Sequence, residues 1–101
     1  MGRLEDRFHQ AMIEIYRRAK EECHYVATRY IQMVADKGGV TAARSLLAST
    51  TPQEGFTRLW ECGRLDLTVE ALVLNPEYVS LFTDQERKEA RARLEAYGYE
   101  P

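Results

Sequence analysis

The chain has 101 residues, of which 45% are hydrophobic and 30% charged, and its formal net charge at pH 7 is −2. This length suits one domain with a single modest core, and the composition excludes a disordered chain. The balance of charge gives no general support to nucleic-acid or membrane-surface binding, and the sequence shows neither a signal-like apolar core nor a long apolar span. We therefore expect a cytoplasmic protein without membrane contact.

The first third of the chain carries an apolar stripe with steps of three or four residues, the period of one helix face. Neither Gly nor Pro interrupts it before Gly38. The pattern predicts helix over residues 3–37, either continuous or as two helices in tandem. A continuous helix would be about 50 Å long, whereas a compact domain of this size has a radius of gyration near 13 Å. We therefore expect one end to overhang the compact part, residues 38–99. The stripe consists of Leu4, Phe8, Met12, Ile15, Ala19, Cys23, Val26, Tyr30 and Met33.

Short helices are predicted to follow. The second helix covers about residues 40–48, and a turn at residues 49–52 offers Thr51 as N-cap and Pro52 as the first helical residue. A third helix runs through Phe56 to Cys62, and Gly63 is placed to end it.

Cap signals mark the remaining helices. Thr68 is placed to cap a fourth helix, and Asn75 before Pro76 is expected to interrupt the helical structure. Thr83 and Glu86 have the spacing of a capping box that opens the last helix, which Gly98 ends. The sequence thus predicts an all-α fold, a single helical domain over residues 1–101, with one long helix followed by four or five short helices in a compact orthogonal bundle. The predicted core of the compact part comprises Leu46, Leu47, Phe56, Leu59, Trp60, Leu72, Leu74, Leu81, Phe82 and Leu94.

The residues that could carry chemistry do not form a recognisable constellation. Cys23 and Cys62 lack metal-binding or redox spacing, and we expect them to be reduced and half-buried. His9 and His24 are about 22 Å apart on one helix, so they cannot share a metal ion. An enzyme would need a site built from residues such as Glu70, His24 and Tyr30, which no spacing predicts. We expect no catalytic site, metal or cofactor.

The leading functional prediction is a small non-enzymatic protein that acts through protein–protein interaction. The long helix would pair with its own copy, forming a homodimer or homo-oligomer, or with a helix of another protein. The N-terminal half of the stripe is the part that short helices would leave uncovered. Its predicted partner interface consists of Leu4, Phe8, Met12 and Ile15.

The alternative is a nucleic-acid-binding regulator. Residues 41–62 form a predicted pair of short helices joined by a turn, as in a helix-turn-helix unit. Arg44, Arg58 and Arg64 lie around this pair and are the candidate contacts. Glu54 and Glu61 on the second helix would repel phosphate, so we favour protein partners over nucleic acid.

Three segments of the chain resemble segments of bacterial proteins. The stretch from Gly38 to Tyr97 resembles small uncharacterised bacterial helical proteins, including some carried by phages and other mobile elements. The resemblance implies an accessory or regulatory protein, and it assigns no activity or site residue. The segments that carry it are residues 38–40, 55–61 and 63–72.

Overall fold

A computed structural model describes residues 3–49 and 54–100 of the chain. Within these ranges the regular structure is helical throughout, with six α-helices, two short 3₁₀ helices and no strand. The predicted all-α class is confirmed, whereas an orthogonal arrangement of the helices stays a prediction. No helix in these two ranges is long and apolar enough to cross a membrane. The elements are α1 (Leu4–Cys23), α2 (Thr28–Lys37), α3 (Gly39–Ala48), α4 (Glu54–Glu61), η1 (Leu65–Leu67), α5 (Val69–Val73), η2 (Pro76–Leu81) and α6 (Asp84–Ala96).

The predicted helix over residues 3–37 is two helices rather than one. α1 ends at Cys23 because His24 adopts the left-handed conformation, with φ 55° and ψ 30°. The Tyr25 N–H then donates to the Ala19 carbonyl oxygen at 3.1 Å. A continuous rod is therefore wrong, and the tandem alternative is correct. The longest principal extent is 35 Å, so there is no 50 Å helix to overhang the rest.

α1 is the central element, and its N-terminal half lies in the core. α2 and α3 pack against it, as do α5 and both 3₁₀ helices. Phe8 and Met12 are completely buried. The Phe8 ring packs edge-on against Tyr78 and Phe82, with centroid distances of 5.1 Å in both pairs. The expectation that this half of the stripe stays uncovered is therefore wrong.

Gly39 allows α3 to approach α1 closely. Its N–H donates to Nδ1 of His9 at 2.9 Å, and a Cβ atom built on Gly39 would lie only 2.6 Å from the His9 Cα. Gly38 ends α2 with a φ of 85°, as its glycine identity predicts. The two glycines therefore have different roles, one as a helix stop and one as a contact point.

Several predicted caps are confirmed. Oγ1 of Thr68 accepts a hydrogen bond from the Ala71 N–H at 3.1 Å. Thr83 and Glu86 form the capping box at the start of α6. Gly63 follows α4 in the left-handed region, with a φ of 75°.

Of the remaining turn predictions, those at Asn75 and Gly98 are confirmed. Asn75 caps η2, with Pro76 as its first residue, and Gly98 follows α6 with a φ of 79°. Thr51 and Pro52 lie outside the described residues.

Trp60 departs from the predicted core. Its side chain is 48% exposed and packs edge-on against Tyr97, with ring centroids 5.3 Å apart. The apolar face of α4 is wide, and Phe56 and Leu59 take its buried part. Leu47, Phe82 and Leu94 are buried as predicted, and the half-buried members of the predicted core are Leu46, Leu72, Leu74 and Leu81.

Candidate functional site

A cleft of about 380 Å³ lies between α1 and α2 on one side and α4 and the η1–α5 segment on the other. Ile15 and Ala19 from α1 line the first wall, together with Met33 from α2. The facing wall includes Phe56 and Leu59 from α4. A partly enclosed hollow with mainly apolar walls is the usual form of a small-molecule site.

Glu70 lies at the buried end of this cleft. It is the second residue of α5 and is only 5% exposed. Its Oε2 accepts a hydrogen bond from Nη1 of Arg93 at 3.1 Å. Burial raises the pKa of the Glu70 carboxyl above its ordinary value, and the nearby Arg93 charge opposes this shift. Desolvation is the larger effect, because burial disfavours the charged form.

Arg93 connects three helices behind the cleft. Its guanidinium donates to the carbonyl oxygens of Leu46 at 3.0 Å and Leu47 at 2.9 Å, which lie at the end of α3. The same group pairs with Glu70 of α5 and with Glu89 of α6. A planar guanidinium with five donors suits this role. Arg93 thus satisfies the free carbonyl groups at the C-terminus of α3 and fixes the position of Glu70.

Two further polar residues of the cleft lining, Tyr30 and Thr68, are bonded internally. The Tyr30 hydroxyl donates to the Met12 carbonyl oxygen at 2.7 Å, and burial raises the pKa of Tyr30, so the hydroxyl keeps its proton. Thr68 donates to the Leu65 carbonyl oxygen at 2.6 Å while it caps α5. These groups position α2 and α5 along the walls.

The wall formed by α4 is tied to α1 by a disulfide. Cys23 ends α1, Cys62 follows the last residue of α4, and the two are bonded with their Cα atoms 6.0 Å apart. The prediction of reduced cysteines is therefore wrong. The sequence separation of 39 residues gave no sign of this pairing, because tertiary contacts bring the two helix ends together, among them the packing of Leu59 against Ala19 and the ion pair of Arg64 with Glu22.

Positive charge lies at the exposed side of the cleft. Arg29, in the first turn of α2, is exposed and lines the cleft. Arg58 on α4 lies over the Tyr25 ring, 5.3 Å from its centroid, and Tyr25 is also a lining residue. Among the described residues, the charged side chains at the mouth are therefore basic, whereas the buried end holds a carboxylate.

A second hollow, more open than the cleft, lies beside the start of α1 and the α2–α3 junction, with a volume of about 300 Å³. Its lining includes His9, but Nδ1 of that ring already accepts the hydrogen bond from Gly39. The cleft is the stronger candidate site.

The predicted partner interface is not a surface of the folded chain. Phe8 and Met12 have no exposed area, and Leu4 and Ile15 are half-buried against the same core. Ile15 instead lines the cleft. The physical reason is that α2 turns back at His24 and the later helices cover the N-terminal half of α1.

The predicted nucleic-acid contacts do not form one basic patch. Arg44 donates to the Leu81 carbonyl oxygen at 2.8 Å and pairs with Glu86, whereas Arg64 pairs with Glu22 and Asp66. Their charges are thus largely matched by carboxylates. Arg58 is the member of the set that lies near the cleft.

The residues considered for a catalytic site are partly brought together. Glu70 and Tyr30 both line the cleft, but His24 is exposed outside it. Among the described residues, no group of three His, Cys, Asp or Glu side chains is placed to hold a metal ion. One signal in the sequence was available, since Glu70 stands among the apolar residues 69–74 and is therefore a candidate buried carboxylate.

No protein-family model, curated protein or solved structure matches this chain.

Proposed function

We propose that this protein binds a small, mainly apolar molecule in the cleft between α1, α2 and α4. The observation that supports this most is the cleft itself, whose volume of about 380 Å³ falls in the range of small-molecule pockets, roughly 300–1,000 Å³. Burial of an apolar ligand there would contribute roughly 25 cal/mol for each Å² removed from water.

The proposed role is binding rather than catalysis. Tyr30 and Thr68 use their hydroxyl protons for internal hydrogen bonds, and the Glu70 carboxylate is paired with Arg93. A general base needs a free position within hydrogen-bond reach of the proton it takes. These three groups are better explained as supports of the walls.

Protein–protein interaction, including a homodimer, stays a prediction from the sequence, as does its nucleic-acid alternative. Self-association through Phe8 and Met12 would require the core to open, so a dimer would have to use another surface. Light scattering across a dilution series tests this, and the mass of a single 11.7 kDa chain at tens of micromolar would contradict self-association.

A cytoplasmic location also stays a prediction, and the disulfide argues against it. Disulfides persist in oxidising compartments and are rare in the cytosol of mesophiles. The Cys23–Cys62 bond therefore favours a protein that works in an oxidising environment.

The experiment that tests the binding proposal uses a variant that fills the cleft. Met33 is a half-buried lining residue of α2, and Ala35 is exposed on the same helix. We expect calorimetric titration of the full chain with decan-1-ol to detect binding that M33W abolishes and A35W leaves unchanged. Circular dichroism establishes that both variants fold. Absence of binding to the unmodified protein, or equal binding to M33W, would contradict the proposal.

A further inference from the structure

We propose that the ligand is an amphipathic monocarboxylic acid, whose carboxylate pairs with Arg29 at the mouth while its apolar part lies in the cleft. This inference rests on the proposed binding function and adds the chemical class of the ligand. It is supported by the distribution of charge along the cleft.

Arg29 is a cation with no partner in the described part of the chain. Its neighbours in sequence are Thr28 and Tyr30, and the first turn of α2 contains no acidic residue. Seven other arginines form ion pairs with described carboxylates, for example Arg64 with Asp66 and Arg93 with Glu70. Arg3, Arg58 and Arg91 share the unpaired state of Arg29 among the described residues, but only Arg29 of these four lines the cleft. An exposed guanidinium beside an apolar hollow is suited to a planar, bidentate acceptor such as a carboxylate.

The same charge distribution disfavours a cationic ligand. A cation would have to leave water and reach Glu70, which is buried and already bonded to Arg93. At the mouth it would meet Arg29 and, beyond Tyr25, Arg58. An anion at the mouth is attracted by Arg29 instead. The N-terminus of α2, which is the positive end of its helix dipole, adds to this attraction. The orientation is therefore fixed, with the acid group outward and the apolar part inward.

The ligand should be a free acid rather than a lipid in a membrane. The apolar lining is recessed between helices, so an apolar chain must enter the cleft to be buried. A flat membrane surface would reach the exposed Arg29 but not Ile15 or Leu46 in the walls.

Matched ligands and matched arginine variants test the inference. Decanoate and decan-1-ol have the same alkyl chain and differ in the charged group. R29Q removes the charge, R29K retains it, and R91Q removes an exposed charge outside the cleft lining. All are titrated with both ligands at pH 8 and at two salt concentrations, and binding to anionic phospholipid vesicles is measured in parallel.

We expect the unmodified protein and R91Q to bind decanoate more tightly than decan-1-ol. R29Q should weaken decanoate binding about two- to fivefold, as for loss of an exposed ion pair, and should change decan-1-ol binding less. R29K should restore part of the preference, and salt should weaken it.

The experiment distinguishes failure of the acid proposal from failure of the proposed binding function. Equal binding of both ligands, or a decanoate preference that survives R29Q, would overturn the acid proposal while the binding function stands. Binding of anionic vesicles that depends on Arg29, without decanoate binding, would assign Arg29 to a membrane surface and also overturn it. If neither decanoate nor decan-1-ol binds, the proposed function itself fails.

Discussion

The hydroxyl group of Tyr30 donates a 2.7 Å hydrogen bond to the carbonyl oxygen of Met12, eighteen residues earlier in the chain. This bond joins α2 to α1 after the chain has turned back at His24. Both residues belong to the apolar stripe, so one pattern in the sequence supplies two facing helices. The turn creates the first wall of the cleft.

Removal of the Tyr30 hydroxyl should weaken this junction. We expect Y30F to lower the free energy of unfolding by about 1 kcal/mol, the usual net contribution of one hydrogen bond. Tyr16 is a matched control, because this residue also lines the cleft but its hydroxyl makes no hydrogen bond within the described chain. Urea denaturation should place Y16F within about 0.5 kcal/mol of the unmodified protein. Equal losses of unfolding free energy in Y30F and Y16F would show that the hydrogen bond from Tyr30 to Met12 does not contribute the expected stability.

The break at His24 can be tested with glycine. His24 has a positive φ, a conformation that glycine adopts without the steric cost of a Cβ atom. We expect H24G to raise the free energy of unfolding by up to about 1 kcal/mol and H24A to lower it. In a continuous helix the order would reverse, because glycine costs about 1 kcal/mol relative to alanine. The order of the two unfolding free energies, measured by chemical denaturation of H24G and H24A, therefore distinguishes a helix that ends before His24 from one continuous helix.

The disulfide should make stability sensitive to reduction. The bond closes a loop of 39 residues, and a link of this kind contributes about 2–4 kcal/mol to the free energy of unfolding. We expect dithiothreitol to lower the stability of the oxidised protein by that amount. The C23S/C62S double variant should match the reduced protein and show no response to dithiothreitol. Two free thiols in protein kept under air, counted by mass spectrometry after alkylation, would contradict the pairing.

Glu70 should impose a pH dependence on stability. Its pKa is raised in the folded state, so the folded protein holds the proton more tightly than the unfolded chain, whose glutamates have a pKa of about 4.3. Stability due to this group is therefore lost as pH rises from about 4.3 through the raised pKa. Glu22, whose pKa is lowered to about 2, acts in the opposite direction and below this range.

We expect E70Q to reduce the decline of stability with rising pH, because glutamine does not titrate. Urea denaturation at several pH values above 4.5 measures this decline. E95Q, an exposed position on α6, is the control and should leave the slope unchanged. If E70Q and the unmodified protein show the same decline, another group is responsible.

Local signals in the sequence predicted the helical class and most helix ends. Thr68, Thr83 with Glu86, and Gly63 act within a few residues of the turns they form, so their type and spacing were sufficient. His24 gave no such signal. A histidine in the left-handed conformation is uncommon, and the return of α2 onto α1 that accompanies it depends on tertiary packing.

The site was harder to predict because it is assembled from distant segments. The cleft requires α2 to turn back and α4 to be tied to α1, and the Cys23–Cys62 separation did not reveal that link. The partner interface was misplaced for the same reason, since a stripe on an isolated helix does not show which half other helices cover. Glu70 was recognisable as an unusual residue, but its partner Arg93 lies 23 residues later.

The most direct test of the binding account is the methyl NMR spectrum of the full chain during titration with decanoate. We predict shifts and ligand contacts at the methyl groups of Ile15 and Met33, which line the cleft, and none at exposed Val79 outside the lining. A spectrum that does not change, or changes confined to Val79, would contradict the account.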